Sequence, residues 1–360
     1  MWTRRRGSGA GKVVAMTVRT GRRAVAVPYS ASASASAPAS APAPRRRVGD
    51  VLRLTTIVAC LPYLSLKVAW TAGSRIGIPE GSALRHDGDS LVVLNGLTVV
   101  MDGVAVLLAF LLTRPWGRRV PSWLLVVPMW CASGLLAPVV AVFPVQTLIS
   151  LMRGGAVTSG LADALLDPWV WCVVYSGFIV QALMLGALFV RYARERWGHL
   201  WRGRIGELPS FPTGSARRLS AGVASALALF VGGMHLVWAA GGTFGLSPGR
   251  AAAQDLDARV NDASYVLFAA LILAGGLLLA YGRGRRVPVL AALAAAWIGS
   301  GALAGWGGWM TLTTLTAPAG DPHLPAPLMS LTYSVQMIVG VLVAAAGAHF
   351  FAERDAARCG

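Results

Sequence analysis

Leu91-Val-Val-Leu-Asn-Gly-Leu-Thr-Val-Val-Met-Asp-Gly-Val-Ala-Val-Leu-Leu-Ala-Phe-Leu-Leu-Thr113 contains one charged residue, Asp102, and runs straight into Arg114-Pro-Trp-Gly-Arg118-Arg119. At 1.5 Å per residue, a helix needs about 20 mostly apolar residues to cross the hydrocarbon of a bilayer. This run is long enough, and it has no polar stripe with which to face water. It predicts a transmembrane helix that ends at a basic interface.

Seven further stretches read the same way, approximately 54–77, 121–147, 169–190, 221–244, 263–281, 288–314 and 328–350. The predicted fold class is therefore an all-α membrane protein of eight transmembrane helices. Composition agrees: 55% of the 360 residues are hydrophobic and only 13% charged, with mean hydropathy +0.60. A soluble domain carries about a quarter charged residues. Pro128 and Pro138 fall inside the third stretch, where neighbouring helices can satisfy the carbonyls they free.

The net charge of +17 raises the question of nucleic acid, but its distribution points elsewhere. Residues 1–47 hold ten Lys/Arg and no acid, around an Ala/Ser/Pro tract. That segment has little to bury and is expected to be a disordered basic tail; Met16 offers an alternative start. The remaining charge lies mainly in loops. Those after spans two, four and six, with the C-terminal tail, carry fifteen Arg; the other loops carry only Arg75, Arg85, Arg153, Arg250 and Arg259. Nine of the fifteen acidic residues lie on this second side. The positive-inside rule then places both termini in the cytoplasm of a bacterial plasma-membrane protein. The lipid bilayer is the expected partner, and nucleic acid is not.

The chain also repeats at an offset of 167–168. Lys67-Val-Ala-Trp70-Thr-Ala-Gly73-Ser-Arg-Ile-Gly77 matches His235-Leu-Val-Trp238-Ala-Ala-Gly241-Gly-Thr-Phe-Gly245. Gly117-Arg-Arg-Val-Pro121 matches Gly284-Arg-Arg-Val-Pro288, and Trp130-Cys-Ala-Ser133-Gly134 matches Trp297-Ile-Gly-Ser300-Gly301. Gln181 and Gln336 form a weaker echo. Four spans per unit force the halves to point the same way, so two parallel four-helix repeats are expected about an axis along the membrane normal. The organisation reads as a tail (1–47), a first repeat (48–197), a cytoplasmic linker (198–217), a second repeat (218–355) and a short tail (356–360).

Leu61-Pro-Tyr-Leu-Ser-Leu-Lys67-Val-Ala-Trp70, Phe178-Ile-Val-Gln181 and Tyr192-Ala-Arg-Glu-Arg-Trp197 resemble stretches of uncharacterised multi-pass membrane proteins of actinobacteria. The resemblance covers roughly residues 50–355. It implies a membrane location and no particular chemistry.

Ionisable groups at membrane depth cost about 2.5–3.5 kcal/mol on insertion scales and mark candidate sites. Lys67 lies roughly 12 Å and Asp102 roughly 16 Å below the outer ends of their spans, so an ion pair between them is expected, either as a site or as a structural tie. His235 stands at the position of Lys67, while Ala269 stands at that of Asp102. Trp70 and Trp238 lie one turn beyond the basic residues, as interfacial anchors or as cavity walls. Gln181 and Gln336 suit interhelical hydrogen bonding, and the Gly73/Gly77, Gly241/Gly245 and Gly301/Gly305 spacings suit close helix packing.

No phosphate-loop, zincin or nucleophile-elbow motif is present, and no cofactor is expected. Cys60, Cys131, Cys172 and Cys359 lack metal or redox spacing and read as small apolar filler. His86, Asp87, Asp89, Asp321 and His323 could chelate a metal if their loops met, but solvated loops are the simpler reading. The expected function is permease-like or small-molecule-binding, with a site between the repeats for an unknown ligand. The alternatives are a membrane subunit or scaffold docking a protein partner on loop 191–218, or a membrane-embedded lipid-modifying enzyme.

Overall fold

The computed structural model describes residues 44–85, 88–154, 165–208, 214–282, 284–316 and 324–359. Eight of its helices are long and apolar enough to cross a membrane, and no strand occurs among the described residues. These helices are α1 (Pro44–Thr71), α2 (Gly88–Thr113), α3 (Ser122–Arg153), α4 (Pro168–Trp197), α5 (Gly214–Ala239), α6 (Leu256–Tyr281), α7 (Val289–Thr316) and α8 (Pro327–Cys359). The basic tail lies outside the described residues, apart from 44–47 at the start of α1. The candidate metal ligands His86, Asp87, Asp321 and His323 lie outside them too, as does the side chain of Asp89.

Local chemistry sets the helix ends. Asp255 caps α6 by accepting a hydrogen bond from Ala258 N at 2.8 Å, which satisfies one of the orphan amides of the first turn. Pro168 opens α4, where a missing N–H costs nothing. Most helices run several residues beyond the expected spans, but two stop short. Helices α1 and α5 stop at Thr71 and Ala239 rather than at 77 and 244. Beyond them Gly73, Gly77, Gly241 and Gly245 have φ of +88°, +73°, +94° and +76°, a region that L side chains avoid. These two GxxxG spacings are therefore turn glycines, not helix-packing surfaces. In each turn a tryptophan closes the loop: Trp70 Nε1 donates to Ile76 O at 2.8 Å, and Trp238 Nε1 to Phe244 O at 2.9 Å.

Helix α1 packs on α2 and α4, and α3 packs on the same two. In the other half α5 and α7 each pack on both α6 and α8. The halves meet chiefly where α3 crosses α7, with α6 alongside. The backbones approach closely at Gly134 and Gly301, where a Cβ on Gly134 would lie 2.1 Å from Gly301 O. Two hydrogen bonds flank this crossing: Trp130 Nε1 donates to Ser300 Oγ at 3.0 Å, and Trp297 Nε1 donates to Ser133 Oγ at 2.9 Å. Trp306 Nε1 donates to Leu135 O, beside the Gly134 carbonyl that Pro138 leaves without its usual donor.

Leu108, Leu125, Met129, Leu185 and Leu188 fill the first half, and Val231, Phe268, Ile272, Leu303 and Val339 the second. Large apolar side chains also cover the outside, among them Leu54, Val100, Trp123, Leu183, Leu229 and Leu267. In water such a surface would drive aggregation; against lipid it costs nothing, and packing and hydrogen bonds must hold the helices together.

The linker expected at 198–217 is described at 198–208 and 214–217, and its last four residues already belong to α5. Ile205 N donates to Val287 O, Gly206 N to Arg285 O, and Val289 N to Gly203 O, at 3.0, 3.2 and 3.1 Å. Ile205 is buried there against Val289 and Phe350.

Candidate functional site

The expected Lys67–Asp102 pair does not form. Lys67 Nζ instead donates to Asn95 Oδ1 at 2.6 Å, with its ammonium 4.9 Å from the ring centre of Tyr63 and 5.2 Å from that of Trp70. The expected depths took 77 and 91 as the outer ends of the two spans; α1 stops at Thr71 and α2 starts at Gly88, which makes Lys67 shallower and Asp102 deeper than that count. Asn95 lies two turns from Asp102 along α2, and it is the residue presented to Lys67. Asp102, which is 5% exposed, turns to α4, where Gln181 Nε2 donates to its Oδ1 at 3.3 Å. Asp102 Oδ2 and Gln181 Oε1 are both buried with no hydrogen-bond partner among the described residues.

The second half builds a longer chain of contacts. His235 Nδ1 lies 2.8 Å from Asp262 Oδ1, and its Nε2 lies 3.1 Å from Gln336 Oε1, tying α5 to α6 and α8. The imidazole is 1% exposed, packed at 4.6 Å on the Tyr265 ring and edge-on to Trp238 at 5.0 Å. Trp238 is itself buried, so it is no lipid-facing anchor. Gln254 Nε2 donates to Trp238 O, and Arg259 Nε to Ala239 O; together they clamp the α5–α6 connection over this cluster.

A cavity of about 340 Å³ opens beside the imidazole. His235, Tyr265, Met329 and Tyr333 are its buried walls, Asp262 is partly exposed within it, and the exposed Arg250, on the short helix Pro248–Ala252, stands at its rim. Asp255, Asp257, Gln254 and Asn261 supply further polar atoms, and Trp306 and Met310 further apolar surface. The first half contributes as well, through Phe143 and Gln146 of α3 and Trp171 and Tyr175 of α4. Gln146 Nε2 donates across the gap to Asp257 O at 3.1 Å. Tyr175 packs against Phe143 and Trp171 at 5.1 and 5.3 Å. A pocket with aromatic walls and a few convergent polar groups, set between helical units, has the form of a small-molecule site.

Of the residues singled out from sequence, His235 lines this cavity, while Gln336 and Trp238 stand behind the imidazole. Lys67, Trp70, Asp102 and Gln181 belong to the first half and do not reach it. Asp262 is the main residue that sequence reading missed. The apolar run seemed to begin at 263, which left Asp262 in a loop, but α6 begins at Leu256 and carries it nearly two turns inside. The sequence offset of 167–168 held the signal: Asn95 and Asp262 are 167 residues apart, and each partners the basic residue of its own half. No protein family, curated protein or solved structure matches the chain.

Proposed function

We propose that this is a small-molecule-binding, permease-like protein of the bacterial plasma membrane, built as two parallel four-helix repeats with both termini in the cytoplasm. The reciprocal bonds between Trp130 and Ser300 and between Trp297 and Ser133 support the parallel arrangement. Contacts of the form i to j and j to i are the mark of an isologous interface about a two-fold axis. The turns closed by Trp70 and Trp238 repeat at the same offset. The arginine count supports the orientation, which puts the mouth of the cavity outside.

The observation that carries the functional reading is the cavity itself. It draws on α3 and α4 of one half and on all four helices of the other, at one end of the bundle. A stability-driven core would fill such a space, since buried voids forfeit dispersion contacts. The scaffold reading has less support, because Ile205, Gly206 and Gly203 of the 191–218 loop are already bonded to 285–289.

The test is a thermal-stability screen of the purified protein against a library of small polar metabolites, run beside Ala258→Trp, which puts an indole into the cavity. A ligand at 100 times its Kd stabilises the folded state by about 2.7 kcal/mol. Compounds that raise the Tm of the wild type and not of A258W support the reading. A library that yields none, or only compounds that still act on A258W, overturns it.

A further inference from the structure

Resting on that reading, we infer that the cavity takes a small organic cation, an amine or quaternary ammonium compound whose charge sits beside Asp262 among aromatic rings.

The charge balance points this way first. Asp255, Asp257 and Asp262 face the cavity against the Arg250 guanidinium and the His235 imidazole, so the carboxylates are in excess even with that imidazole protonated. Arg250 is exposed, and solvent screens a rim charge far more than one in the interior. Asp262 lies deeper, with its side chain 18% exposed, and so sets the field at the floor. The walls agree with the charge. Six rings surround the space, those of Phe143, Trp171, Tyr175, Tyr265, Trp306 and Tyr333. Aromatic faces attract cations through the ring quadrupole and offer anions nothing comparable.

The first half supplies an independent argument. There an ammonium, that of Lys67, already sits between the Tyr63 and Trp70 rings and on the Asn95 amide oxygen. The positions matching Lys67, Trp70 and Asn95 hold His235, Trp238 and Asp262, while Val231 stands at that of Tyr63. A carboxylate replaces the amide, and a shorter imidazole replaces the side chain that delivered the ammonium. The second half thus keeps an acceptor and tryptophan at the corresponding places, strengthens the acceptor to a full negative charge, and opens a cavity beside it. A cation from outside is the complement of that arrangement.

Choline, its neutral carbon isostere 3,3-dimethylbutanol and the anion 3,3-dimethylbutanoate test the assignment, each titrated against the full-length protein in nanodiscs. Trp171 and Trp306 line the cavity, so their fluorescence reports occupancy. Choline is expected to bind at least about tenfold more tightly than the alcohol, with the acid weakest. Asp262→Asn keeps an oxygen for His235 and is expected to weaken choline about tenfold without changing the alcohol. Trp171→Leu, across the cavity on α4, is expected to weaken choline with the His235–Asp262 pair intact, which guards against a fold defect in the first variant. If the alcohol or the acid binds as tightly as choline and is lost in A258W, the cavity reading stands and the cation assignment falls. If none of the three shows binding sensitive to A258W, both fall.

Discussion

The indole of Trp130 donates to Ser300 Oγ at 3.0 Å, and 167 positions along the chain Trp297 returns the same bond to Ser133. Between these two bonds the α3 and α7 backbones touch at Gly134 and Gly301. In lipid, where apolar burial does not drive helices together, close backbone approach and polar contacts carry the association. The crossing therefore holds the two halves in register, and the cavity depends on it for its α3 and α4 walls.

Gly134→Ala should be among the more damaging small substitutions in the chain. Its methyl would meet Gly301 O at 2.1 Å, whereas a methyl on Gly301 would meet Trp130 O at 3.0 Å. Overpacking of this kind costs about 1–3 kcal/mol. Thermal unfolding in detergent should rank Gly134→Ala below Gly301→Ala, and both below Gly186→Ala, whose methyl meets nothing within 4 Å. Equal Tm values for all three would show that the crossing is not tight.

Double-mutant cycles should couple Lys67 to Asn95 and not to Asp102. A hydrogen bond to a charged group is worth about 1.5–3 kcal/mol, and contacting residues share interaction energies that separated ones do not. Lys67→Met with Asn95→Leu should recover part of the two single losses. Lys67→Met with Asp102→Leu should be nearly additive, and a large coupling there would contradict the contacts described above.

Asp102→Asn should be tolerated or stabilising. The amide can accept from Gln181 Nε2 as the carboxylate does, and its NH₂ can serve the buried Gln181 Oε1, which has no donor among the described residues. Asp102→Leu removes the acceptor and leaves the Gln181 amide unsatisfied, at about 1–3 kcal/mol. If Asp102→Asn is the worse of the two, the negative charge itself is required.

Gln336→Leu should cost about 1–3 kcal/mol, because it strands the buried His235 Nε2. His235→Leu combined with Gln336→Leu should be milder than the sum of the two, since neither polar group is then left alone. Chemical unfolding of the three variants decides it. Additive losses would mean that the 3.1 Å contact carries no energy.

Cysteine labelling in intact cells tests the orientation, in a background lacking the four native cysteines. Glu80→Cys and Arg250→Cys should react with an impermeant reagent, while Arg118→Cys and Arg202→Cys should react only after lysis. Labelling at position 202 from outside would invert the topology and move the cavity mouth to the cytoplasm.

The eight spans were legible in the sequence because the bilayer is a uniform solvent. A run such as Leu91–Thr113 either satisfies it or does not, whatever its neighbours do. Trp130/Ser133/Gly134 and Trp297/Ser300/Gly301 stood out for a similar reason, as the same residue types at a constant offset. Which side chain meets which was not legible. The depth of Lys67 depends on where α1 ends, and its partner on which helices are neighbours; the turn after Thr71 and the packing of α1 on α2 set these. Tertiary structure therefore chose Asn95 over Asp102 for Lys67, and gave Asp102 to Gln181. It also carried Asp262 inside, because the cap at Asp255 starts α6 well before the apolar run. The cavity belongs wholly to this second class. Phe143, Tyr175, Asp262 and Tyr333 are far apart in the chain, and only the crossing at Gly134 and Gly301 brings them around one space.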